Sequence, residues 1–263
     1  MNKNAQARKK TFISKGEKNM ALTERQKDIL QSLKTYKKLS VKALADNLFV
    51  SEATIRRDLS EMQNMGLIER SHGGAILPEN AEEVSIFLRM ERNASEKERV
   101  ATKAIFHIPP FKSVFIDSSS TALALAERID LSHKTVVTNN LQTAIQLSKK
   151  KNVNLILLGG NVNFNTNSAT GTWTARLLED FSFDLMLSSC AAVRNSAVFE
   201  TSLGQKEIKK VAFERCQKRI LLVDHTKYGA YGTYRLANLS QYDFVVTDFT
   251  PPDADNSDIH YIY

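Results

Sequence analysis

Residues 39–76, LSVKALADNLFVSEATIRRDLSEMQNMGLIERSHGGAI, decide how this chain is read. Val41, Leu44, Ala45 and Leu48 fall at the i, i+3, i+4, i+7 positions of a short amphipathic helix. Ser51 then stands as an N-cap, with Glu52 at the positive end of the next helix dipole. In that helix Ile55, Leu59 and Met62 turn inward, Thr54, Arg56 and Arg57 point outward near its start, and Gly66 ends it. The stretch 67–77 alternates and turns at Gly73-Gly74, as a two-stranded hairpin does. Upstream, Thr23 and Gln26 have capping-box spacing, followed by Ile29, Leu30 and Leu33 on one face. Three helices and a hairpin in this order predict an N-terminal winged helix-turn-helix, mainly α with a β-hairpin wing.

In that plan the second helix of the pair enters the major groove, and its first residues reach base edges. Ser51, Thr54, Arg56 and Arg57 are therefore the candidate readers of double-stranded operator DNA. Arg can donate two bonds to guanine or grip phosphate, and the Thr methyl can touch thymine. Arg70, His72, Gly73 and Gly74 are the candidate backbone contacts of the wing. The duller alternative is a solvated charged helix beside an ordinary hairpin.

The charge agrees. Of 263 residues, 36 are Lys or Arg and 29 Asp or Glu, for a formal net charge of +7. All of that excess lies in residues 1–77, and residues 78–263 are balanced. A basic end on a neutral body predicts a polyanion-binding module joined to a second function. Residues 1–19 read as a disordered basic arm, and translation from Met1 or from Met20 remains open. Residues 20–77 are the DNA-binding domain, 78–96 a linker turning helical, 97–250 an α/β domain, and 251–263 a tail. No apolar run approaches the ~20 residues of a membrane-spanning helix, so a cytoplasmic protein with no membrane partner is expected. Cys190 and Cys216 have no CxxC or His spacing and read as buried free thiols. No metal or cofactor is expected.

From about Lys97, apolar runs at 114–117, 135–138, 154–158, 185–188, 219–223 and 244–247 alternate with amphipathic stretches. That pattern predicts a mostly parallel sheet covered by helices. Ligands bind such sheets at the carboxyl ends of the strands. The residues there are Asp117, Ser118, Ser119, Ser120 and Thr121, then Thr138 and Asn139, Gly159 and Gly160, and Asp224 and Lys227, with Lys209 nearby in sequence pattern. The hydroxyl-rich loop before a helix is a candidate anion site. Asp117 and Asp224 are candidates for sugar hydroxyls, and Lys209 or Lys227 for a phosphate. Capping serines and a tight glycine turn are the plainer reading of several of these positions.

The run Val50–Leu59 (VSEATIRRDL) and the wing Arg70–Ala75 (RSHGGA) closely resemble the DNA-binding domain of the DeoR family of bacterial transcriptional regulators. The resemblance continues through Arg89, Asn93 and Lys97 and runs from about residue 20 to 248. It implies a C-terminal domain similar in fold to ribose-5-phosphate isomerase that senses phosphorylated sugars. The matching positions are DSSST (117–121), Thr138-Asn139-Asn140, Gly159-Gly160, Gly171, Glu207–Lys210 and DHTKYG (224–229). This chain departs from the pattern with Ser119 where Gly is usual, Ser120 where Thr is usual, and Gln205 where an acidic residue is common. The implied function is a transcriptional regulator, a repressor of a carbohydrate-utilisation operon, acting as a homodimer or homotetramer. The alternatives are a sugar-phosphate isomerase-like enzyme, with Asp117, Asp224, Glu200 or Glu207 as base, or an architectural DNA binder with a non-sensing C-terminal domain.

Overall fold

The computed structural model describes residues 22–77, 85–252, 254–255 and 258–263. The arm expected at 1–19 and residues 78–84 of the expected linker lie outside the described residues. The chain divides between residues 78 and 79 into two compact units.

In the first unit each helix begins where its capping chemistry dictates. The Thr23 hydroxyl accepts from the Gln26 N–H at 3.2 Å and the Gln26 side chain accepts from the Thr23 N–H at 3.0 Å, opening α1 (Glu24–Tyr36). Ser40 caps α2 (Val41–Asn47) and Ser51 caps α3 (Glu52–Asn64). Ile29, Leu33, Leu44, Ile55, Leu59 and Met62 are fully buried between the three helices. Leu48, expected on that face, is half-buried just past the end of α2. A two-pronged ion pair ties α3 to α1: Arg25 donates to buried Asp58 through Nε at 2.5 Å and Nη2 at 3.1 Å.

The wing differs from the expected hairpin. It is a three-stranded antiparallel sheet in the order β1-β3-β2, with β1 at Lys38–Ser40, β2 at Glu69–Ser71 and β3 at Gly74–Ile76. Three residues are too few for β1 to show an alternation in sequence. The turn falls at His72-Gly73, and Gly74 already belongs to β3. A Cβ on Gly74 would lie 2.1 Å from the Leu39 carbonyl oxygen, so this glycine serves the close approach of β1.

The second unit begins earlier than expected. Within the proposed linker, α4 (Ile86–Glu91) buries Ile86 and Phe87, and the Ile86 N–H donates to the Asn165 carbonyl at 2.9 Å. After α5 (Ala94–Ile105) come β4 (Ser113–Ile116), α6 (Ser120–Ala126), β5 (Thr135–Thr138), α7 (Leu141–Leu147) and β6 (Asn154–Leu157). The hairpin β7 (Asn161–Asn163) and β8 (Ser168–Thr170), α8 (Thr172–Glu179) and β9 (Phe183–Ser188) follow. The rest is β10 (Ala192–Arg194), β11 (Ala197–Glu200), α9 (Leu203–Glu214), β12 (Cys216–Val223), β13 (Tyr234–Asn238), β14 (Phe244–Thr247) and β15 (Tyr261–Ile262).

Each of the six apolar runs is a strand of one seven-stranded sheet, order β15-β14-β12-β9-β4-β5-β6, paired in parallel throughout. Both faces of the central strands are covered, which is why those runs are continuously apolar, whereas the edge strand β6 keeps Asn154 and Leu157 exposed. Val114, Ile116, Leu185, Leu187 and Leu222 pack toward α5 and α6, while Phe115, Met186, Leu221 and Val245 pack toward α8 and α9. The expected tail contributes β15, which pairs with β14. A separate antiparallel sheet, β10-β11-β13, accompanies the main one. Cys190 and Cys216 are buried and unbonded to each other. Among the described residues no helix is long and apolar enough to cross a membrane.

Candidate functional site

In the first unit the start of α3 and the wing offer one polar face. Arg56 and Arg57 are exposed. Arg56 donates to Glu52 at 2.8 Å, a solvated i,i+4 pair that is easily exchanged for another anion. Arg70 of β2 donates to the backbone carbonyl of Arg56 at 3.5 Å, so the structure brings helix and wing arginines together. His72 and Gly73 are exposed at the wing tip, and Gly73 has φ +75°, a left-handed conformation that favours glycine. Ser51 is already occupied: its hydroxyl accepts from the Thr54 N–H at 3.2 Å and shares a 2.9 Å bond with the Thr54 hydroxyl. Gly74 is buried behind Leu39 and presents nothing outward.

In the second unit the strand order reverses between β4 and β9, so the segments following those strands flank the crevice where ligands bind in such sheets. Asp117, just after β4, is completely buried. Its Oδ1 accepts from the Ser119 N–H at 2.9 Å and the Ser119 hydroxyl at 2.5 Å. Its Oδ2 accepts from the Ser188 hydroxyl at 2.8 Å and the Ser189 N–H at 3.1 Å, and pairs with Lys209 at 2.9 Å. The Lys209 ammonium, carried by α9, also donates to the Ser189 carbonyl and to Glu200, both at 2.7 Å. Its three protons are thereby all placed.

Burial opposes the charge on Lys209, yet Asp117 and Glu200 outweigh it and hold the ammonium above its ordinary range. Burial likewise opposes the Asp117 carboxylate, but Lys209 and the Ser119 bonds keep it below the usual range. For Glu200 burial prevails and its carboxyl is pushed up. Asp117 and Lys209, expected as sugar and phosphate ligands, are thus the two halves of an internal clamp.

Other expected ligands are similarly engaged. Ser118 donates to Gln205 at 2.7 Å, and Gln205 donates onward to Ser168 at 2.6 Å. Ser119 caps α6, accepting from the Ala122 N–H, and Ser120 donates to the Arg89 carbonyl at 3.2 Å. Thr121 is buried in the first turn of α6. Thr138 accepts from the Asn140 N–H, and Asn139 donates to the Ala169 carbonyl, fastening β8 to the end of β5. A Cβ on Gly160 would lie 1.9 Å from the Thr174 hydroxyl, which itself donates to the Gly159 carbonyl. Gly160 is therefore a packing contact with α8, whereas Gly159 has open space where a Cβ would sit and is tied to α8 only through its carbonyl. Glu207, the remaining candidate base, is exposed.

Among the described residues, what stays open includes the Asn139 Oδ1 at the end of β5 and a group of atoms around the end of β12. Asp224 is fully buried. Its Oδ1 accepts from the Thr226 N–H at 3.1 Å and from the Thr226 hydroxyl, but Oδ2 has no donor among the described residues. The Ser189 hydroxyl after β9 and the Thr247 hydroxyl at the end of β14 are likewise buried without partners. Lys227 stands half-buried three residues beyond Asp224.

Lys97 of α5 is buried in the same field. Burial pushes its ammonium down to about 8, with Lys227, Arg89 and Arg92 adding to the effect and Asp224 opposing it. The sequence marks Lys97 only through its place in the family resemblance. The available signal was its place on the inward stripe of α5 with Val100, Ala101 and Ala104, where a lysine needs a reason.

Models described as the DeoR-like helix-turn-helix domain and the DeoR C terminal sensor domain match residues 25–81 and 92–249. The HTH-type transcriptional regulator GolR of Listeria innocua is 35% identical over 228 residues, covering 86% of this chain and 90% of that protein. The glycerol-3-phosphate regulon repressor of Escherichia coli is 31% identical over 236 residues, covering 89% and 93%. The L-fucose operon activator of Haemophilus influenzae is 30% identical over 227 residues, covering 86% and 91%. Among solved structures, a ribose 5-phosphate isomerase from Methanocaldococcus jannaschii is similar over 52% of this chain and 55% of its own, at 13% identity and a TM-score of 0.38.

Proposed function

The chain belongs to the DeoR family of transcriptional regulators, and from that premise we propose that it represses a carbohydrate-utilisation operon under the control of a phosphorylated sugar. The first unit binds double-stranded operator DNA. Arg56, Arg57 and Thr54 read or grip the major groove, and Arg70, His72 and Gly73 follow the backbone beside it. One such module reads few base pairs, so a homodimer or homotetramer supplies the specificity. The protein acts in the cytoplasm, and it binds rather than transforms its effector.

The observation that carries the sensor reading is Asp224. A buried carboxylate oxygen without a donor is costly unless something brings one. A sugar hydroxyl is such a donor, and the Ser189 and Thr247 hydroxyls beside the neighbouring strand ends suit a polyol. Lys227 and Lys97 supply the positive charge a phosphate needs. The relatives' names, a glycerol-3-phosphate regulon repressor and an L-fucose operon activator, support carbohydrate control. Effector and operator occupancy are then linked, each altering the other's affinity by the same factor.

The test is a thermal-shift screen of phosphorylated against unphosphorylated sugars. A phosphorylated sugar should raise the melting temperature, and Asp224→Asn or Lys227→Met should abolish the rise. No stabilisation by any phosphorylated sugar, with operator binding intact, overturns the sensor reading in favour of a purely structural C-terminal unit.

A further inference from the structure

We propose that Phe49 is a further DNA-contacting residue, an aromatic side chain held out beside the start of α3 to lay its ring on apolar DNA surface, a thymine methyl or a deoxyribose. This rests on the operator-binding reading above and adds an aromatic contact to the polar ones named there.

Leu48, Phe49, Val50 and Ser51 lead from α2 into α3. The Val50 N–H donates back to the Ala45 carbonyl at 3.1 Å, and the Leu48 N–H to the Leu44 carbonyl at 3.1 Å. That closure of a helix end puts the intervening residue in the left-handed region, and Phe49 has φ +54°. Glycine usually stands there, because a Cβ crowds the following carbonyl. Of the non-glycine residues with positive φ among those described, Phe49 alone is apolar. Its ring gains nothing from the fold in return. At 94% exposed, Phe49 is the most exposed large apolar residue among those described. A disfavoured backbone and an unburied aromatic at one position point to a partner outside the chain.

The place of Phe49 says which partner. Ser51 opens α3 two residues later, and two residues span at most about 7 Å. Ser51, Glu52 and Ala53 are exposed, and Thr54, Arg56 and Arg57 follow them on the end of α3 that enters the groove. Phe is among the side chains that lie on a thymine methyl. No charge stands between Leu48 and Ser51, so the contact is apolar and adds nothing to the release of counterions.

Phe49→Gly is the decisive variant, since it relieves the left-handed residue and removes no buried contact. The probe is a duplex selected by the wild-type full-length protein from a random pool. Phe49→Gly should melt no lower than wild type, yet bind that duplex about tenfold more weakly. The slope of affinity against salt should stay unchanged, because no phosphate contact is lost. Phe49→Asn suits the same backbone without glycine's freedom and should weaken binding equally. Phe49→Tyr keeps the ring and should bind as wild type. A loss that disappears when uracil replaces the duplex thymines puts the ring on a methyl, and one that persists puts it on a sugar; either supports the contact.

Wild-type affinity in Phe49→Gly and Phe49→Asn overturns the contact and leaves the operator reading standing. So does a loss accompanied by a smaller species in sedimentation, which places the ring against a second copy of the chain. Failure of the wild-type protein to select any duplex overturns both.

Discussion

Replacing Lys209 by methionine separates an internal clamp from a ligand-binding lysine. The substitution keeps the length of the side chain and removes the charge that holds Asp117 at 2.9 Å and Glu200 at 2.7 Å, all three groups being buried. Removing one partner from such an assembly leaves uncompensated charge and costs about 3–5 kcal/mol. For a unit of this size that is a fall in melting temperature of about 10 °C.

The deficit should also depend on pH. In the wild type the depressed Asp117 pKa contributes stability that is present above its unfolded value and lost as pH falls below it. In the variant both carboxylates have raised pKa values, so protonation on acidification relieves them and stability recovers. The variant's relief narrows the gap first, and the wild-type loss adds to it only as pH falls through the depressed Asp117 value. Thermal melts of the two full-length proteins at neutral pH and at about pH 5 measure it. Equal melting temperatures at neutral pH, with phosphate binding lost, would refute the clamp and restore Lys209 as a direct phosphate ligand. A deficit that does not change with pH would show that packing, not charge, was removed.

Arg56→Ala should weaken operator binding by about 1–3 kcal/mol if the side chain reads a base. A footprint and salt dependence identical to wild type would exclude that helix face. Asp58→Asn removes the two-pronged bond from Arg25 that joins α3 to α1, and should destabilise the first unit by about 2 kcal/mol in denaturant unfolding. Gly74→Ala drives a Cβ against the Leu39 carbonyl and should disrupt the wing, seen as lost amide protection at Leu39 and Ala75. His225 bonds to Asp248 at 2.9 Å and its pKa is raised, so that pair stabilises at low pH and is lost as pH rises through the raised value. An NMR titration should find the His225 midpoint lowered in Asp248→Asn.

The fold was legible wherever a local rule governs it. Thr23, Ser40 and Ser51 cap their helices through hydroxyl-to-backbone bonds spanning three residues, and those spacings are written in the chain. The central strands of the parallel sheet are buried on both faces, and their unbroken apolar runs announce it. What escaped was short or patterned by partners. β1 and β15 have three and two residues, and the strands β10, β11 and β13 carry no alternation that separates them from loops. Gly74 illustrates the same limit. The sequence marks a glycine for close approach, but the approaching group is Leu39, thirty-five positions away, rather than a sugar-phosphate chain.

The candidate site was legible as an edge and illegible as a set of atoms. Strand ends can be read from sequence, and with them the polar residues that rim the sheet. Whether a given hydroxyl, amide or charge is available depends on which distant group reaches it first. Asp117 is completed by Lys209 and Ser189, and Ser118 by Gln205, across 72 to 92 positions of chain. Most of the serine loop, the Thr138-Asn139 pair and the glycine pair are drawn in the same way into scaffold bonds. Asp224 escapes this fate on one oxygen because its nearest donor, Thr226, sits two residues away and reaches Oδ1 alone. The residues that chemistry would choose first as ligands are thus the ones the fold consumes to hold the edge rigid. Among the described residues the Asp224 Oδ2 and the Asn139 Oδ1 are acceptors of that edge that no donor completes, and under the sensor reading proposed above a rigid edge around them lowers the ordering cost of binding a small flexible polyol phosphate.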